Sequence, residues 1–266
     1  MHWNPLIEQW LAALRAAGRP PSTLELRRHQ LGRFARDHRA GPASVTADDV
    51  AEWVGRESWA LETRRSHRAA LSTFYGWAVR TGRLEHDPTA GLLPAMPAHH
   101  LPRPAAEDVV ADALATTRDE RVRMMVALAA HAGLRRAEVA AARREDMVEG
   151  MGGWVLRVHG KGGRWRLVPL PGWLADVIRR RPPGWLFPGN DAGHLSPAWT
   201  GRLMGRVLPA GVTPHQLRHR YASRVYAGSR DLLATQQLLG HARPETTRGY
   251  VALSDESLRA AANHAA

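Results

Sequence analysis

Four short stretches in the second half of the chain carry side chains that could do chemistry on a charged ester. They are Gly133-Leu134-Arg135-Arg136-Ala137-Glu138, a glycine-rich turn holding Lys161, His215-Gln216-Leu217-Arg218-His219, and Leu239-Gly240-His241 followed by Tyr250. Each alone has an ordinary reading. An arginine on a helix is usually a solvated charge, a histidine near a helix start is usually structural, and a lone tyrosine is usually core. Together they supply what phosphoryl transfer to a protein nucleophile requires. A phosphodiester is anionic, and its transition state puts more charge on the non-bridging oxygens. Two arginines can clamp those oxygens with planar, charge-assisted hydrogen bonds, and histidines can add donors. Tyrosine is a competent oxygen nucleophile that forms a covalent phosphotyrosine. The departing sugar hydroxyl needs a proton, and a lysine, with an unperturbed pKa of about 10.4 that neighbours can shift, is able to give one.

Lys161 stands out before any motif is invoked. It is the single lysine among 37 basic residues, all the others being arginine. A GC-rich coding bias would produce such a background and leave one lysine by accident. The other reading is a position where guanidinium will not serve, because arginine cannot release a proton near neutral pH and lysine can.

The rest of the composition narrows the partners. A formal net charge of +12 over 266 residues favours a polyanion, with nucleic acid first. There is no cysteine, so disulfides and thiolate metal sites are excluded. No apolar run is long enough to span a bilayer, and Met1-His2-Trp3-Asn4-Pro5 lacks the basic-then-apolar pattern of a signal peptide. A cytoplasmic protein is the simplest expectation.

Positioning these groups takes two domains. Residues 4–17 read as a helix capped by Asn4, with Pro5 in the first turn and Leu6, Trp10, Ala13 and Leu14 as its stripe. Ser22 or Thr23 opens a second helix to about Arg39, with Leu24, Leu31 and Phe34 inward. Thr46-Ala47-Asp48-Asp49 resembles a capping box for a short third helix. Thr63 to Val79 reads as a fourth, with Leu71, Phe74, Tyr75 and Ala78 inward. Prolines 88, 94, 97, 102 and 104 then mark a linker. The expected division is a helical domain over 1–98 and a second domain over 99–266. In the latter, helices are expected near 106–116, 119–132, 134–142, 172–181, 196–207, 214–226 and 230–239, with short ones near 244–250 and 255–264. Trp154–Val158 and Arg164–Val168 alternate as two strands joined by the turn 160–163.

The stretches GLRRAE (133–138), GKGGRWRLVPL (160–170), LFP (186–188), TPHQLRHRYAS (213–223) and LGHARPETTRGY (239–250) resemble the tyrosine recombinases, also called the phage-integrase family. The order Arg, Lys, His-x-x-Arg, Gly-His, Tyr follows the family pattern over almost the whole chain. The resemblance implies a mainly α protein: a SAM-like, core-binding helical bundle followed by an α+β catalytic domain with a small antiparallel sheet. It also implies roles. Arg135 and Arg218 clamp the scissile phosphate, Lys161 protonates the leaving 5′ oxygen, and His215 assists proton transfer at the nucleophile. His241 bonds a non-bridging oxygen, Glu138 holds the hydrogen-bond network, and Tyr250 attacks to leave a 3′-phosphotyrosine. Strand exchange would pass through a Holliday junction in a tetramer on two double-stranded DNA sites, with no metal and no other cofactor. Thr63 through Trp77 looks like the core-binding domain, in which Arg64, Arg65 and Arg68 are candidate backbone contacts. The chain looks like the two-domain form, without an arm-binding domain.

Three other readings compete. His215 and His219 stand four apart, as in a zinc hydrolase, but position 216 is Gln rather than a general base. A non-catalytic DNA-binding module explains the charge but not the ordered set ending at Tyr250. A type IB topoisomerase shares the chemistry, and would act on one supercoiled circle rather than on two sites.

Overall fold

The computed structural model describes residues 2–93, 103–150, 152–160 and 163–240. The chain divides into two compact units, Met1–His100 and Leu101–Ala266. The boundary expected between 98 and 99 lies outside the described residues.

The first unit is helical. Its elements are α1 (Trp3–Ala16), α2 (Pro21–Asp37), α3 (Ala47–Val54) and α4 (Leu61–Arg80), with a short 3-10 turn at Pro42–Ser44. The stripes read from periodicity form its core: Leu6, Trp10, Leu31, Phe34, Leu71, Phe74, Tyr75 and Ala78 are all buried. The capping box at Thr46 is present, with the Asp49 amide donating to the Thr46 hydroxyl and the Thr46 amide donating to the Asp49 carboxylate.

Three helix starts differ from expectation, α4 opening at Leu61 rather than Thr63. α1 begins at Trp3 rather than after Asn4. The Trp3 indole is buried against Phe34, Phe74 and Tyr75 and donates to the His38 carbonyl at 2.6 Å, so tertiary packing rather than a polar cap sets the start. α2 begins at Pro21 with Pro20 as its cap residue. Proline suits the first helical position because its missing N–H would have had no partner there.

The second unit contains α5 (Glu107–Thr116), α6 (Glu120–His131), α7 (Arg136–Ala140), α8 (Gly172–Arg179), α9 (Pro197–Gly205), α10 (Pro214–Ser229) and α11 (Leu232–Leu239). Strands β1 (Met147–Gly150), β2 (Gly153–His159) and β3 (Trp165–Pro169) form an antiparallel sheet in the order β1-β2-β3, and β4 (Pro188–Asp191) is a short separate strand. A mainly helical fold with a small antiparallel sheet is what the sequence led us to expect. β1 and β4 were not expected. α6 runs through the core: Met124 to Ala130 are buried without interruption. No helix among the described residues is long and apolar enough to cross a membrane. The helices expected near 244–250 and 255–264 lie outside the described residues.

The start of this unit is tied to α10. The Ala105 amide donates to the Gln216 carbonyl at 3.0 Å. Glu107 accepts Nε (2.9 Å) and Nη2 of the buried Arg220, and Nη1 of Arg224 at 2.7 Å. Arg220 Nη1 also reaches the Ala130 carbonyl on α6 at 3.0 Å.

Candidate active site

A cleft of about 760 Å³ opens between α7, α9 and the first turn of α10. Arg135, Arg136, Arg202, His215 and Arg218 line it, and among the described residues none of its lining side chains is acidic. The N-terminus of α10, through Thr213, Pro214 and His215, also faces it. Arginines clustered at the start of a helix make an anion site.

Arg135 and Glu138 are placed by a tight local turn. Gly133 has φ +64, and a Cβ there would collide with the Tyr221 ring, so only glycine fits. Arg135 caps α7, and the Glu138 carboxylate one turn on accepts the Arg135 amide at 2.8 Å. Arg135 Nη1 donates to Glu138 Oε1 at 2.8 Å, while its Nη2 reaches the Gly240 carbonyl at 3.3 Å. The Arg135 side chain is 38% exposed and faces the cleft.

Arg218 comes from α10 and is buried. Its Nη1 donates to the Gly133 carbonyl and its Nη2 to the Leu239 carbonyl. Nη1 also stands 3.7 Å from Glu138 Oε2. Arg135 and Arg218 thus meet at one cleft and one carboxylate. Burial alone would raise the Glu138 pKa. The Arg166 hydrogen bonds and charge, the Arg135 amide and the Arg218 charge outweigh it and hold the carboxyl down at about 2.

His215 stands at the rim. The protein wall around it, then the Arg218 and Arg135 charges, lower its pKa, so the ring is neutral at neutral pH. Four residues on, the His219 ring lies edge-on to it with centroids 4.3 Å apart, and burial followed by the His215 and Arg218 charges pushes His219 down to about 4. Among the described residues no group of three or more His, Asp or Glu is placed to share a metal ion.

Lys161, His241 and Tyr250 lie outside the described residues. The described residues resume at Gly163 after Lys161 and stop at Gly240 before His241. β2 and β3 are paired from Val155↔Pro169 to His159↔Trp165, and the Gly160 amide donates to the Arg164 carbonyl at 2.6 Å, closing the base of the turn that carries Lys161. α11 ends at Leu239, and its cap residue Gly240, in the left-handed region at φ +61, stands immediately before His241.

Sequence reasoning missed Arg166. It projects inward from β3 and donates Nη1 and Nη2 to the two oxygens of Glu138 at 2.9 and 2.8 Å. The signal was the phase of the strand: Val168 and Arg166 share the inner face, while Trp165 and Leu167 are exposed. Arg136 and Arg202, further cations in the cleft, were also missed.

The three candidate DNA contacts of the first unit are placed differently from one another. Arg64 Nε donates to the Trp59 carbonyl at 2.9 Å, and Arg68 Nη2 to the Leu92 carbonyl at 2.8 Å. Arg65 is exposed, with Glu62 3.8 Å away.

Comparison with known proteins bears on this arrangement. The model of the phage integrase family matches residues 105–257. The tyrosine recombinase XerC of Azotobacter vinelandii is 36% identical over 218 residues, covering 72% of this chain and 70% of its own. XerC of Chromohalobacter salexigens is 33% identical over an alignment of 286 positions, covering 95% and 92%. Among solved structures, the Tn1549 transposon integrase in complex with transposon right end DNA superposes with a TM-score of 0.73 over 99% of both chains, at 16% identity. That likeness is one of fold.

Proposed function

The chain belongs to the phage integrase family, the tyrosine recombinases, and as such is a site-specific enzyme of DNA breakage and rejoining; we propose the residues that perform it. The observation that carries the assignment is the arginine-lined cleft in which Arg135, Arg218 and His215 meet, backed by Glu138.

The scissile phosphate of duplex DNA sits between Arg135 and Arg218, whose guanidiniums take the charge that grows on the non-bridging oxygens. His241 donates to one of those oxygens. The Tyr250 hydroxyl attacks phosphorus, its proton passing to the neutral ring of His215. The bond to the 5′ oxygen breaks as Lys161 protonates it, leaving a 3′-phosphotyrosine and a free 5′-hydroxyl. That hydroxyl attacks the phosphotyrosine of the other duplex, the P–O bond to tyrosine breaks, and a Holliday junction results. Bond energy is conserved in the phosphotyrosine, so no nucleotide is consumed. Two duplexes need four cuts and each subunit supplies one tyrosine, so the working assembly is a tetramer on two sites, acting in the cytoplasm. Arg136 and Arg202 hold phosphates flanking the scissile one. In the first unit Arg65, with support from Arg64 and Arg68, contacts the backbone.

A duplex nicked beside the cleavage site tests this. The wild-type protein should accumulate a covalent protein–DNA adduct in EDTA without ATP. Tyr250→Phe should bind the same DNA and form none. An adduct through another tyrosine, or a need for divalent metal in the covalent step, would overturn the assignment.

A further inference from the structure

Arg166 has no part in the chemistry above, yet it is the side chain that joins the pieces of the cleft. It lies on β3, five residues beyond Lys161. Its side chain is 9% exposed. Two of its nitrogens hold both oxygens of Glu138, and the third, Nε, donates to the Leu238 carbonyl at 2.7 Å. Leu238 belongs to the last turn of α11, where the next two carbonyls are also taken by arginines: Leu239 by Arg218 and Gly240 by Arg135. Three arginines from three elements thus end on three successive carbonyls. A helix C-terminus leaves such carbonyls without intrahelical partners and carries partial negative charge. Gly240 leaves room for this: a Cβ there would stand 3.0 Å from Arg166 Cδ.

Charge decides what Arg166 adds. Glu138 carries one negative charge and faces Arg135, Arg166 and Arg218. Arg166, gripping both oxygens in a buried position, absorbs that charge. Arg135 and Arg218 then keep theirs for the cleft. Without Arg166, the same carboxylate must be shared by the two arginines that face the phosphate. Arg135, already 2.8 Å from it, would be drawn inward.

We propose that Arg166 is a positioning residue for DNA cleavage, which neutralises Glu138 and locks β3 and the end of α11 together so that Arg135 and Arg218 keep their charge and aim for the scissile phosphate. This rests on the cleavage reading above. The effect falls on the transition state, where phosphate charge is greatest, more than on binding of DNA, which many contacts share. Lysine cannot replace it, since a single ammonium cannot span both carboxylate oxygens and the carbonyl in this fork.

The test uses the nicked duplex, with adduct formation at saturating protein, DNA affinity by mobility shift, and thermal unfolding measured on each protein. Arg166→Lys and Arg166→Met should bind DNA within about threefold of wild type while the adduct rate falls on the order of 100-fold, as expected for slightly misplaced catalytic groups. Adding Glu138→Gln to Arg166→Met removes the unmatched carboxylate and should recover the rate by about tenfold over Arg166→Met, a non-additive coupling. A residue that only holds the fold would give no such recovery. Should Arg166→Met fail to fold, Arg166→Lys decides by its ratio of adduct rate to DNA affinity. A wild-type rate in both single variants, losses that track DNA binding or unfolding, or a double variant no faster than Arg166→Met each overturn the proposal. Absence of an adduct with the wild-type protein would instead overturn the cleavage reading on which it rests.

Discussion

Arg28 in the first unit and Arg166 in the second both grip a glutamate through two nitrogens, at similar distances. Arg28 holds Glu8 at 2.9 and 2.6 Å, and Arg166 holds Glu138 at 2.9 and 2.8 Å. The surroundings differ. The Arg28 and Glu8 side chains are 51% and 57% exposed, whereas those of Arg166 and Glu138 are 9% and 4% exposed. Water and salt screen the first pair. The second has given up its water, so each partner is needed to keep the other in place. The first unit stands on aromatic packing with its ion pairs outside. In the second unit an ionic cluster is part of the interior, and that cluster backs the cleft.

Glu138→Gln should break the contrast most strongly. It leaves buried guanidiniums facing a neutral amide, and should cost about 3–5 kcal/mol in denaturant unfolding. A cost below about 1 kcal/mol would place Glu138 with the surface pairs. The pH dependence sharpens this. The folded pKa of Glu138 is depressed to about 2 from an ordinary 4.5, so its contribution is fully present above 4.5 and is lost as pH falls towards 2. Unfolding curves of wild type and Glu138→Gln should therefore draw together across that window. A constant gap would mean the charge of Glu138 is not what stabilises.

An intermediate effect is expected in the first unit. Trp3→Phe keeps an aromatic ring but loses the indole bond to the His38 carbonyl and some volume, and should cost about 1–2 kcal/mol. DNA cleavage by the folded variant should be unaffected. Arg28→Ala should give the smallest change, an unfolding midpoint indistinguishable from wild type in 0.15 M salt, a condition set by a Debye length of about 8 Å. A clear drop would show that the exposed pair is held better than its exposure suggests.

The sequence reveals these two kinds of interior unequally. Leu71, Phe74, Tyr75 and Ala78 recur at helical spacing and all are buried, because a helix with one apolar stripe has one way to face a core. Asn4 looked like a cap because caps are local signals, but Trp3 was drawn into the core by residues more than thirty positions away. Of the cleft, Arg135, Glu138, His215 and Arg218 were legible because motif spacing groups them, and the structure brings those four together. Arg166 was not. In Trp165-Arg166-Leu167-Val168 the apolar Trp165 and Leu167 invite the core face, yet they are exposed and the arginine points in. Only partners on α7 and α11 make that burial tolerable, and they are distant in sequence.

The bonds made by Ala105 and Glu107 set where this catalytic unit can be cut. The family match begins at Ala105, the residue whose amide holds the Gln216 carbonyl beside His215. A fragment starting at residue 103 keeps both ties to α10. One starting at 108, at a site that looks like featureless linker plus the first turn of a helix, strips Arg220 of its carboxylate while its guanidinium stays enclosed. Those few residues leading into the first turn of α5 therefore work as a built-in splint on the helix that carries His215 and Arg218, and belong with the enzyme rather than with its tether.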